Sequence, residues 1–98
     1  MKVVWTDRAR HRLRELHDYI AADAPRAAQQ VVKRLIVRSQ SLRAAPDAGR
    51  RVPEFARDDI RELLVRPYRI IYLVKEDRID VLTVRHYRQL LPSDLTSL

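Results

Sequence analysis

The chain has no cysteine and only one glycine, Gly49, in its 98 residues. The first absence excludes a disulfide framework and any cysteine-ligated zinc site. The second excludes a glycine-rich loop of the kind that wraps backbone amides around phosphates. No apolar run approaches the ~18 residues that a membrane-spanning helix needs. Met1-Lys2 leads straight into an apparent strand rather than a secretory signal. The expectation is a soluble, cytoplasmic protein with no membrane partner. Histidine is scarce, and His11 and His17 lie six residues apart on one expected helix, where they point apart. With no His-x-x-x-His or Glu-x-x-His spacing, neither a metal site nor a cofactor is expected. The serines, Ser39, Ser41, Ser93 and Ser97, sit in no nucleophile motif.

What the chain has in quantity is positive charge. Lys and Arg number 20 against 13 Asp and Glu, a formal net charge of +7. The excess is spread along the chain instead of gathered in a tail. Such a field attracts nucleic acid, an acidic protein or an anionic surface alike, and it is equally at home on an ordinary solvated surface. The length suits one domain, residues 1–98, burying roughly 60–70% of its unfolded surface around one core.

The organising stretch runs from Arg61 to Leu91. Three segments rich in Ile, Leu, Val and Tyr are separated by Arg66-Pro67 and by Lys75-Glu76-Asp77-Arg78, the pattern of a three-stranded meander. Pro67 cannot donate to a ladder and marks a strand end. Tyr68 to Val74 is apolar on both faces, which places it inside the sheet with cover required on each side.

Before the meander, Val3, Val4 and Trp5 favour a strand. Thr6 stands where an N-cap belongs, and Ala9, Leu13, Leu16 and Ile20 follow at helical spacing. Asp23-Ala24-Pro25 breaks this helix and opens a second, with Ala28, Val32, Leu35 and Leu42 as its buried stripe, Val31 and Ile36 alongside, and an end near Ala45 before Pro46. The short link predicts an antiparallel helical hairpin. Asp47 to Asp59 reads as a loop, and residues 93–98 carry no assignable state. The fold class is α+β: an N-terminal strand, then a helical hairpin packed on an antiparallel sheet, in the order β-α-α-β-β-β. The hairpin covers one face of the sheet. The tail is too short to cover the other fully, so a partner is expected there.

The chemistry-bearing cluster is Arg85-His86-Tyr87-Arg88 at the end of the last strand, with Arg61 and Arg69 on the two strands before it. Arginine, histidine and tyrosine brought together can grip a phosphate, stack on a base, or carry out metal-free acid–base chemistry on RNA. They can also be solvated strand ends, with Tyr87 capping the core.

At these residues the chain resembles the ParE/RelE superfamily of toxins from type II toxin–antitoxin systems. The resemblance runs through Val4-Trp5-Thr6, Leu16-x-x-Tyr19-Ile20-Ala21, Pro25-x-Ala27-Ala28, Leu42 to Pro46, Gly49-Arg50, Pro53, Arg61-Glu62-Leu63, Tyr68-Arg69-Ile70-Ile71-Tyr72 and Val84-x-His86. The ParE branch is favoured, although Tyr87 stands where ParE proteins usually have glycine. The resemblance implies growth inhibition by poisoning DNA gyrase, with Arg85, His86, Tyr87 and Arg88 contacting the target. It also implies neutralisation by an acidic cognate antitoxin that folds on binding, and contact with operator DNA only through that antitoxin. In the RelE branch the toxin cleaves mRNA on the ribosome. Arg61, Arg69, His86 and Tyr87 would then be the catalytic candidates.

Overall fold

The computed structural model describes residues 1–98. Lys2–Trp5 forms strand β1, Asp7–Ala21 helix α1 and Pro25–Gln40 helix α2. A 3-10 turn at Ser41–Arg43 follows, then β2 (Arg50–Arg51), β3 (Ile60–Val65), β4 (Tyr68–Val74), β5 (Arg78–His86) and a last 3-10 turn at Leu95–Ser97. The β-α-α-β-β-β order of the sequence reading holds, with two local differences. The segment expected to be a loop contributes β2, and α2 ends at Gln40 and tightens into a 3-10 turn before Pro46.

The sheet runs β1-β5-β4-β3-β2. β3, β4 and β5 form the antiparallel meander, and β1 joins parallel to β5, pairing Val3 with Ile79 and Trp5 with Val81. β4 is therefore the central strand, as its two apolar faces require. Thr6 explains how strand and helix join. Its Oγ1 accepts from the Ala9 amide, capping α1, and donates to the Val81 carbonyl on β5.

One face of the sheet packs against the helical hairpin. Ala9, Leu35 and Leu42 meet Leu63, Ile70, Tyr72, Ile79 and Val81, with Leu13 and Leu16 partly buried beside them. Ile36, placed with the buried stripe by sequence, is exposed: it lies ~100° round the helix from Leu35, which takes the inward position. Tyr72 is wholly buried, and its hydroxyl accepts from the Gly49 amide at 2.9 Å and donates to the Pro46 carbonyl at 2.9 Å. Gly49 is required there by space. A Cβ would lie 2.6 Å from both the Glu62 carbonyl and the Tyr72 hydroxyl.

The opposite face corrects an expectation. Its apolar part is not left open for a partner, because the chain covers it. Val52, Ile60, Ile71, Leu91 and Leu98 form a second core, with Phe55, Leu73, Leu82 and Leu95 packed on it. The tail reaches further than its polar residues suggest because three leucines, Leu91, Leu95 and Leu98, recur along it and dock on this face. Arg8 of α1 donates to the Thr96 carbonyl, tying the tail to the helix. No helix is long and apolar enough to cross a membrane.

Candidate functional site

Strand register sorts the candidate residues. Arg61 pairs with Tyr72 and Arg69 with Leu64, so alternation along the strands puts the two arginines on opposite faces of the sheet. Arg61 shares its face with Tyr72 and works locally. Its side chain donates to the Asp58 and Gly49 carbonyls at 3.1 and 2.9 Å, holding the loop that leads into β3.

Arg69 lies on the other face, almost fully buried, in a network that the sequence reading missed. Its Nε donates to Glu62 Oε1 at 2.8 Å, a second nitrogen bonds the same oxygen, and the terminal nitrogens make paired 3.0 Å bonds to Glu54. Glu62 is wholly buried and receives Arg50 at 2.6 Å on its other oxygen. Arg69 also reaches the Gln89 carbonyl at 3.3 Å, and Glu54 accepts from the Leu91 amide at 3.2 Å. Two guanidiniums and two carboxylates thus balance in charge and pin the start of the tail to the sheet. Burial works against the Arg69 charge, but its bonds to Glu54 and Glu62 outweigh it and raise its pKa above the ordinary value. The Arg69 hydrogen bond outweighs burial at Glu54 and lowers its pKa to about 2. A signal for this network was present in the sequence. With the hairpin centred on Arg66-Pro67, Glu62 and Arg69 fall on one face as diagonal neighbours.

The remaining candidates gather at the end of the sheet. The His86 and Tyr87 rings stack at 4.9 Å and 22°, Tyr68 meets His86 edge-on at 6.2 Å, and the Arg88 guanidinium lies 5.5 Å from the Tyr87 ring centroid. Backbone bonds hold this ladder. The Tyr87 amide donates to the Pro67 carbonyl at 2.8 Å, the His86 amide to Gln89 Oε1 at 3.0 Å, and the Arg88 amide to His86 Nδ1 at 3.2 Å. The last bond uses Nδ1 as acceptor and leaves the neutral ring's proton on Nε2. Tyr87 is about half exposed, so the ladder presents stacked aromatic and cationic surface to solvent. A hollow of about 450 Å³ adjoins it, lined by Arg50, Leu64, Arg66, Tyr68, Arg69 and Tyr87, among others. No three His, Asp or Glu side chains gather as a metal site would need.

Set beside known proteins, residues 3–91 match the family model described as the ParE toxin of the type II toxin-antitoxin system, parDE. The chain belongs to the ParE toxin family. It is 38% identical over 90 residues to Toxin RelE2 of Caulobacter vibrioides, covering 91% of this chain and 98% of that one. The fold of this ParE-family chain also matches a structure of the chromosomal ParDE toxin–antitoxin system from P. aeruginosa. The TM-score is 0.74 and the identity 24%, covering 88% of this chain and 95% of the other.

Proposed function

We propose that this ParE-family toxin arrests bacterial growth by poisoning DNA gyrase, using the exposed end of β5 as part of its contact. The observation that carries this reading is the division of labour among the arginines. Arg61 and Arg69, which a metal-free nuclease would need beside His86 and Tyr87, face opposite sides of the sheet, and each is engaged by its own loop or carboxylates. Tyr87 and Arg88, exposed and backed by the partly buried His86, remain as a recognition surface suited to stacking and to charge complementarity.

A cognate antitoxin, short and acidic, neutralises the toxin. Family membership supports this partner, and α2 adds a physical reason. The helix carries Arg26, Lys33, Arg34 and Arg38 with no acidic residue, and it exposes Ile36 and Val37 among them. With the far sheet face covered by the tail, the antitoxin takes its apolar anchors from such exposed residues instead.

RNA cleavage is the second reading. It is favoured by the likeness to a protein named RelE2 and by the His86–Tyr87 pair, which has the groups for moving a 2′-hydroxyl proton. In vitro supercoiling and cleavage assays, run beside a ribosome-bound mRNA cleavage assay, separate the two. Gyrase-dependent DNA breaks with intact mRNA are expected, and Arg88→Ala should weaken the inhibition. That variant should shift stability by less than about 0.5 kcal/mol, as exposed substitutions do. Cleaved mRNA with untouched gyrase would overturn the gyrase reading.

A further inference from the structure

Three segments of the chain hold no Asp or Glu: α2, the stretch from Leu63 to Lys75, and the stretch from Val81 to Ser93. They meet at one corner of the fold. Arg34 of α2 donates to the Arg66 carbonyl in the β3–β4 turn at 2.7 Å, and the Tyr87 amide, just past β5, donates to the neighbouring Pro67 carbonyl at 2.8 Å. Arg88 lies 5.5 Å from the Tyr87 ring centroid. Arg34, Arg66 and Arg88 are all exposed there.

None of these three cations belongs to the chain's ion pairs. The two acids nearest the hollow beside them, Glu54 and Glu62, are committed to Arg69 and Arg50. Arg34 uses one terminal nitrogen on the Arg66 carbonyl, and Arg88 uses Nε on the Tyr87 hydroxyl at 3.2 Å. Each keeps its other N–H groups for an outside acceptor. Because these bonds already hold the two guanidiniums, less side-chain freedom is lost when that acceptor arrives.

The make-up of the corner selects the partner. Protein interfaces gather around a centre depleted in charge, whereas the centre here is Arg66, between Arg34 and the Tyr87–Arg88 pair. Single-stranded nucleic acid is held by laying successive bases on several aromatic rings. This corner exposes one such ring, Tyr87, and His86 is already stacked on it. Uncompensated cations on three separate elements suit a regular array of phosphates, which they neutralise without reading bases. We propose that this corner grips the backbone of duplex DNA, independently of its sequence, through Arg34, Arg66 and Arg88. The inference goes beyond the gyrase contact proposed above, since the grip needs no gyrase. On that reading, the DNA that gyrase holds becomes part of what the toxin contacts.

The test titrates the full chain into a fluorescently labelled, mixed-sequence duplex without gyrase and follows anisotropy at several salt concentrations. Three phosphate contacts predict a log–log salt slope of about −2.7. Arg66→Gln should weaken binding at least threefold and make the slope shallower by about 0.9, while Arg66→Lys should keep the slope. Lys2→Gln removes a charge that is also exposed and outside the ion pairs. Lys2 pairs with Arg78 at the start of β5, roughly 26 Å from His86 at ~3.3 Å per residue, and its loss should change binding less than twofold. The proposal fails if the duplex gives no saturable signal, or if Lys2→Gln weakens binding as much as Arg66→Gln, which would mark a diffuse field. It fails equally if the single strand binds more tightly than the duplex, or if polyglutamate competes as well as unlabelled duplex at equal charge. None of these results depends on gyrase inhibition, so the two readings stand or fall separately.

Discussion

Replacing Arg69 by methionine tests the ionic network most directly, because the side chains are close in length and only the charge and its hydrogen bonds are lost. Arg69 bonds two carboxylates, one of them wholly buried. Breaking a buried ion pair by removing one partner costs about 3–5 kcal/mol, mostly through the uncompensated charge left behind. Here Arg50 stays on Glu62 at 2.6 Å, and Glu54 is one-fifth exposed and can turn to water. Both factors place the expected loss near the lower end, about 3 kcal/mol. Against a total of roughly 5–15 kcal/mol for a domain, that is a large share. Urea unfolding at pH 7 measures it. The tail supplies a second readout, since Arg69 holds the Gln89 carbonyl and Glu54 holds the Leu91 amide. Hydrogen exchange at Leu91 should quicken in the variant while exchange at Ile70 and Val81 follows only the global loss. A change below about 1 kcal/mol would refute the reasoning, because it would mean that the carboxylates are solvated or neutral and that the network contributes little.

Acid should act through the same network. Glu54 falls from 4.5 to about 2, so its contribution is complete above its unfolded value and is lost as pH drops from about 4.5 toward 2. The shift corresponds to at most about 3 kcal/mol, and Glu54→Gln should flatten that limb of a stability–pH curve. In the core on the helix side, Leu35→Ala should cost about 2–5 kcal/mol in urea titration, and a loss below half a kcal/mol would mean that α2 does not pack as described. Tyr72→Phe removes the hydroxyl that joins Gly49 to Pro46, leaves a buried amide without its acceptor, and should cost about 1–3 kcal/mol by thermal or urea unfolding.

Much of the fold was legible because periodicity and punctuation agreed. The two apolar faces of Tyr68–Val74 located the central strand, Pro67 located the hairpin, and Thr6 and Pro25 located the helix starts. What escaped depended on distant pairing. Arg50–Arg51 has no strand signature, and it becomes β2 only by pairing with Arg61 and Glu62 on β3. The tail is short and interrupted by polar residues, so its three leucines gave no periodic pattern, and their docking is set by the face they meet. The candidate site was partly legible. His86, Tyr87 and Arg88 are brought together as their adjacency suggested, whereas proximity of Arg61 and Arg69 on neighbouring strands concealed that an odd register offset separates them by a whole sheet. The same strand logic applied to Glu62 would have assigned Arg69 its partner.

Charge distribution supports the recognition surfaces proposed at the end of the sheet and along α2. Inside the sheet the chain neutralises what it buries: Arg50, Glu62, Arg69 and Glu54 close one network, while Lys75 and Arg78 flank Asp80 in another. Burial opposes ionisation of Asp80, yet the two cations overcome it and hold its pKa below the ordinary carboxylate range. The surplus of positive charge therefore falls outside the core. It lies on α2, which has no acid of its own, and on Arg66, Arg85 and Arg88 around the aromatic ladder.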